Sequence, residues 1–117
     1  GSAYLRFMDR GVADAGLSHA LLLAPGGYRL EIRMRATNLR SALGMQWRLT
    51  CGGDSRILAR SEPVDGTFDW RDARIDFTVP ARQCEGQWLR LVNPVGAGSG
   101  QRVGGELWID HVRIVRL

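Results

Sequence analysis

The feature that most constrains this chain is a two-residue rhythm. Between Tyr28 and Thr37, Leu30, Ile32 and Met34 alternate with Arg29, Glu31, Arg33 and Arg35. Side chains of an extended strand point alternately to opposite faces, so this run is apolar on one side and charged on the other. A helix carrying the same residues would spread both sets around its surface. The rhythm recurs from Met45 to Cys51, with Trp47, Leu49 and Cys51 set against Gln46, Arg48 and Thr50. It recurs again from Arg71 to Val79, with Ile75, Phe77 and Val79 set against Arg74, Asp76 and Thr78. From Gln87 to Val92, Leu89 and Leu91 alternate with Trp88 and Arg90. Shorter runs at Leu5–Phe7, Ser18–Leu23 and Ile57–Ser61 read as weaker strands. A final strand closes the chain on Leu107–Ile114.

Turn-forming residues separate these runs: Pro25-Gly26-Gly27, Gly52-Gly53-Asp54, the stretch from Pro63 to Asp69, Pro80, and a glycine-rich segment from Asn93 to Gly105. About eight short strands without a helical period predict an all-β fold, a two-sheet antiparallel β-sandwich with no significant helix.

A chain of 117 residues fits one domain with one core, spanning Gly1 to Leu117. The opening Gly1-Ser2 reads as a cloning remnant and no signal peptide follows, so the domain is expected to be a fragment of a larger parent protein. No apolar run approaches the roughly 20 residues that span a bilayer. The net charge is +4 and every basic residue is an arginine. Guanidinium forks pair bidentately with carboxylates, phosphates and sulfates. The positive charges are interleaved with acids, as in Arg29-Leu30-Glu31, which is the pattern of an ordinary solvated surface and argues against nucleic acid as a partner.

Known catalytic and nucleotide-binding patterns fail. Gly96-Ala97-Gly98-Ser99-Gly100-Gln101 places a glutamine where a dinucleotide-binding loop needs glycine, and a phosphate-binding P-loop needs a lysine that the chain lacks. There is no GxSxG. His19 and His111 lie near opposite ends of the chain. A glycosidase needs two carboxylates about 5–9.5 Å apart across a cleft. Glu106 and Asp110 are too far apart along one strand to form such a pair at about 3.3 Å per residue. No enzyme activity is expected.

The two cysteines, Cys51 and Cys84, have no CxxC spacing and no histidine beside them, which argues against zinc. They are either one disulfide in an oxidising compartment or two buried thiols in a reducing one. The disulfide is the favoured reading, and closing a loop of this length contributes roughly 3–4 kcal/mol in the chain-entropy model.

Taken in order, "PGGYRLEIRMRATNL", the Trp47 strand, "FDWRDARIDFTVP", "QWLRL" and "GGELWIDHVRI" resemble the jelly-roll carbohydrate-binding modules of the galactose-binding-like fold, in particular those binding cellulose, xylan or β-glucan. The resemblance covers roughly residues 18 to 117 and rests mostly on fold-defining positions. It implies a non-catalytic accessory domain, an extracellular, periplasmic or cell-envelope setting, and a structural calcium. By this resemblance Asp110 sits where the last-strand aspartate coordinates that calcium, with Asp9 or Glu106 as further ligands. Two departures weaken the metal reading. The opening "YLRFMDRG" lacks the usual ligand-bearing segment, and His111 replaces the second acid of the closing pair. The alternative is that Asp110 is a half-buried hydrogen-bond acceptor, because it shares an alternating row with Trp108, Val112 and Ile114.

The tryptophans carry the ligand reading. Trp47 and Trp108 fall in apolar rows and read as core. Trp70 stands at a loop-to-strand junction. Trp88 alternates out of phase with Leu89 and Leu91. It is either an exposed platform for the C–H face of a sugar, flanked by polar groups, or a core residue with Leu89 under a loop. On the first reading, Trp88, Arg90, Arg48, Arg33 and Arg35 form one outward surface for a poly- or oligosaccharide, with the arginines pointing to an acidic sugar. The alternative is a structural or protein-interaction sandwich without a glycan site.

Overall fold

The computed structural model describes residues 3–11, 14–52, 56–94 and 102–117, with the side chains of residues 9–11 and 14–16 left aside. Eight strands follow one another: β1 (Ala3–Gly11), β2 (Asp14–Leu21), β3 (Gly26–Arg40), β4 (Gln46–Cys51), β5 (Ile57–Arg60), β6 (Gly66–Val79), β7 (Gln87–Val92) and β8 (Arg102–Arg116). They form two four-stranded antiparallel sheets, in the orders β1-β8-β3-β6 and β2-β7-β4-β5. The all-β sandwich is as expected, and β3, β4 and β7 lie within a few residues of where alternation places them.

Two stretches expected to be loop are strand. β6 begins at Gly66, so Thr67, Phe68 and Asp69 belong to it, and β8 begins at Arg102. The start of β6 lies beside β3 and the start of β8 beside β1, and each satisfies backbone groups of that partner. Glycine-rich composition argues for loop locally, but a neighbouring strand overrides it. The Gly96–Gln101 segment lies outside the described residues.

The apolar rows of the two sheets face each other. Leu30, Ile32, Met34 and Ala36 of β3, Leu107 and Ile109 of β8 and Phe77 and Val79 of β6 pack against Trp47, Leu49 and Cys51 of β4 and Leu89 and Leu91 of β7. The Trp47 indole N–H donates to the Met34 sulfur at 3.2 Å and so spans the two layers. Gln87 is the fully buried polar side chain of β7, and its amide is satisfied. Its oxygen accepts from the Leu23 N–H, and its nitrogen donates to the carbonyls of Leu23 and Cys84. Buried polar groups are tolerated when bonded in this way.

Cys51 and Cys84 form a disulfide with their Cα atoms 4.9 Å apart, closing a separation of 33 residues. It joins the end of β4 to the turn before β7, where Gly52 N–H also bonds to the Gly86 carbonyl. Reduction should lower the unfolding free energy by roughly 3–4 kcal/mol through a freer unfolded chain. Urea unfolding with and without reductant checks this, and coincident transitions would contradict it.

Candidate functional site

β8 departs from simple alternation at one residue. His111 lies opposite Arg33 and Ile109 opposite Met34, so Asp110 is an added residue without a partner on β3. Such a bulge reverses which face the following side chains take. Before it, Leu107 and Ile109 point inward; after it, Val112 pairs with Ile32 and Ile114 with Leu30. Trp108 is therefore not a core residue but an outward one, and Asp110 is not half-buried in an apolar row. The Asp110 carboxylate is 52% exposed and faces His111 Nδ1 at 3.5 Å.

Among the described residues no group of three His, Cys, Asp or Glu side chains comes together. Glu106 is engaged by Tyr4, and the Asp9 side chain lies outside the described residues.

The five residues expected on one surface are all outward, but on opposite sides of the sandwich. Arg33 and Arg35 belong to β3 and the first sheet, while Arg48 of β4 and Trp88 and Arg90 of β7 belong to the second. No single ligand lying on one sheet reaches both sets. The alternation predicts each orientation correctly; membership of a sheet depends on pairing that alternation does not encode.

On the outer face of the first sheet, Tyr4 of β1, Trp108 of β8 and Arg35 of β3 lie directly opposite one another. Trp70 of β6 completes the row, in a second bulge where β6 passes from Phe68 opposite Ala36 to Arg71 opposite Met34. The Tyr4 and Trp108 rings are 5.2 Å apart, and the Arg35 guanidinium lies 4.9 Å from the Trp108 ring. Arg33 approaches the Trp70 ring at 5.9 Å. Tyr4 and Trp70 are 50% and 37% exposed. Four neighbouring strands carry the row over about 14 Å, three inter-strand spacings.

Beside it lies a shallow depression of about 290 Å³ whose polar lining includes Arg6, Thr37, Asn38 and Glu106. The Tyr4 hydroxyl donates to the Glu106 carboxylate at 2.6 Å, and that bond raises the tyrosine pKa. The bond fixes the ring and leaves the second carboxylate oxygen of Glu106 as an acceptor beside it. Tyr4 and Trp70 were legible as residues but not as partners of Trp108, because no local pattern reports the two bulges.

The second sheet carries Trp88 on its outer face, half-buried, with the Arg90 guanidinium 4.9 Å from its ring. Ala20 and Thr50 flank it on the neighbouring strands. Between the sheets lies a cleft of about 350 Å³ lined by Ala3, Leu17, His19, Trp47, Leu89, Ile109 and Val112. Among the described lining residues, His19 is the titratable one.

No family model matches the chain, and no curated protein matches it in sequence. Solved structures do match in fold. A CBM4 carbohydrate-binding module superposes with a TM-score of 0.73 at 17% identity, covering 100% of this chain and 72% of that one. The C-terminal domain of EclA, a sugar-binding protein, gives 0.59 at 14% identity, covering 98% of this chain and 77% of that one. A cyclase from Fischerella sp. TAU gives 0.62 at 20% identity, covering 97% of this chain and 61% of that one. The fold is thus the jelly-roll sandwich of carbohydrate-binding modules. An enzyme shares it, so the fold alone does not separate binding from catalysis.

Proposed function

We propose that this is a non-catalytic carbohydrate-binding module that holds a poly- or oligosaccharide across the outer face of the β1-β8-β3-β6 sheet. The observation that carries this reading is the row of Tyr4, Trp108, Arg35 and Trp70 beside a polar depression. A pyranose ring presents an apolar C–H face and a rim of hydroxyls. The first packs on aromatic rings, and the second needs donors and acceptors of the kind Glu106, Thr37 and Arg6 supply. Three aromatic side chains on three strands suit a chain of sugars better than one ring. The fold shared with carbohydrate-binding modules supports the class. A secreted or cell-envelope setting agrees with the disulfide. The site is open and shallow, so affinity is expected to be modest, a small surplus over the cost of immobilising a chain.

Affinity electrophoresis in gels containing neutral polysaccharides such as soluble β-glucan or xylan tests this. The parent domain should be retarded, Trp108→Ala should lose most of the retardation, and Trp88→Ala should keep it. Because Trp108 is only half-buried, its alanine variant should remain folded, which a thermal melt verifies. Loss of retardation by Trp88→Ala but not by Trp108→Ala would move the site to the opposite face. A parent domain retarded by no neutral glycan would favour a structural or protein-interaction sandwich.

A further inference from the structure

The two outer faces treat charge in opposite ways. On the first sheet, charges are matched in register across β3 and β6. Arg29 pairs with Asp76 at 2.7 Å, Arg33 with Asp72 at 3.5 Å and Arg74 with Glu31 at 4.0 Å. The Arg29 guanidinium holds the Asp76 carboxyl below its usual pKa. On the second sheet, Arg90 of β7 lies opposite Arg48 of β4, and Arg48 lies opposite Arg60 of β5. Three arginines thus occupy directly opposed positions across three adjacent strands, ending at Ser18 of β2 opposite Arg90. Among the described residues no acidic side chain makes an ion pair with Arg48, Arg60 or Arg90.

Like charges directly opposite one another on a sheet are destabilising. A chain that matches its charges on one face and stacks three of one sign on the other carries an arrangement that folding alone disfavours. The row is also partly organised. Gln46 accepts the Arg48 Nε–H at 2.8 Å while its own amide donates to the Ser61 carbonyl at 3.2 Å. That bond holds the Arg48 guanidinium by its Nε edge. The Arg90 guanidinium is held over the Trp88 ring at 4.9 Å. Adjacent strands are about 4.8 Å apart, so the row presents three cationic forks over roughly 10 Å. An extended molecule with repeated negative groups meets it better than a single small anion does.

We infer that Arg90, Arg48 and Arg60, with Trp88 beside them, form a second binding surface for an anionic polysaccharide bearing carboxylate or sulfate groups. The inference rests on the reading of the domain as a glycan binder, but uses the opposite face and different residues. Each fork takes a carboxylate or sulfate in two charge-assisted hydrogen bonds, and the apolar face of the intervening sugar lies near Trp88.

Titration calorimetry of the full chain with polygalacturonate and with heparin, at low and high salt, tests it; the two probes separate carboxylate from sulfate recognition. Binding to at least one is expected, weakening as salt rises because exposed charge pairs are screened within about 10 Å at 0.1 M ionic strength. Arg48→Gln should weaken it roughly fivefold or more through loss of one bidentate contact, and Arg48→Gln with Arg60→Gln should abolish it. Neither variant should lower the melting temperature, since each relieves like-charge repulsion; a structural role for the row would lower it. Trp108→Ala should leave anionic binding intact, so failure of the neutral-glycan site and failure of this one are read separately. Absence of binding to both polymers, full binding by the double variant, or equal binding to a single-stranded DNA oligonucleotide would each overturn the inference.

Discussion

Replacing Gly105 by alanine should cost the domain about 2–5 kcal/mol, because the substitution forces both a left-handed residue and a backbone overlap. Gly105 has φ +99°, and a Cβ built on it would overlap the Asn38 carbonyl oxygen and meet the Leu39 Cα at 2.7 Å. Both obstacles are backbone atoms of β3, so no side-chain rotation relieves them. Asn38 itself has φ 49°, and the β3–β8 register shifts between Thr37 and Arg40. The bulged β3 backbone and β8 therefore pass each other here at a distance only glycine permits. Their crossing also forms part of the depression beside Tyr4 and Trp108. Urea unfolding of Gly105→Ala should show a lower midpoint, and any folded fraction should bind neutral glycans less well. A midpoint within about 0.5 kcal/mol of the parent, the range of an ordinary surface change, would show that the crossing yields easily.

Trp47→Ala should be as damaging, at about 3–5 kcal/mol for truncating a buried tryptophan. Trp47 is 2% exposed, lies on the inner face of β4 and reaches Met34 of the opposite sheet through its indole N–H. It also lines the inter-sheet cleft with Leu89 and Ile109. Removing it enlarges that cleft and takes from Met34, Leu89 and Ile109 the contacts that the indole makes. Domains of this kind are stable by only about 5–15 kcal/mol, so the variant should melt far below the parent. Trp47→Phe should recover much of the loss, because a ring still fills the layer. If Trp47→Ala melts within a degree or two of the parent, the two sheets are held by something other than this contact.

These two residues differ in how they announce themselves. Trp47 was legible: it alternates with Gln46 and Arg48, and the apolar phase of β4 is unbroken to Cys51. Gly105 was read as part of a loop, because its reason for being glycine lies in a strand some 65 residues earlier in the chain. The candidate sites divide in the same way. The outward orientation of Trp88, Arg90, Arg48, Arg33 and Arg35 follows from period-two alternation, which is a property of each strand alone. The sharing of one surface does not follow, and here it fails, because hydrogen-bond partners at long range decide which sheet a strand joins.

The reading of β8 marks the same boundary at a single position. Alternation places Trp108, Asp110, Val112 and Ile114 on one side, and that holds only while every residue has a partner across the ladder. One unpaired residue at Asp110 turns Trp108 outward onto Tyr4 and Arg35, leaves Asp110 exposed, and keeps Ile114 against the core with Val112 at the inter-sheet cleft. The sequence alone therefore determined most of the strands, the inner row of each stretch free of bulges and the all-β class, because side-chain alternation and turn chemistry are local. The tertiary structure alone decided which rows meet. It assembled an aromatic row on one face and a row of opposed arginines on the other, because register and bulges are set by distant strands competing for the same backbone hydrogen bonds.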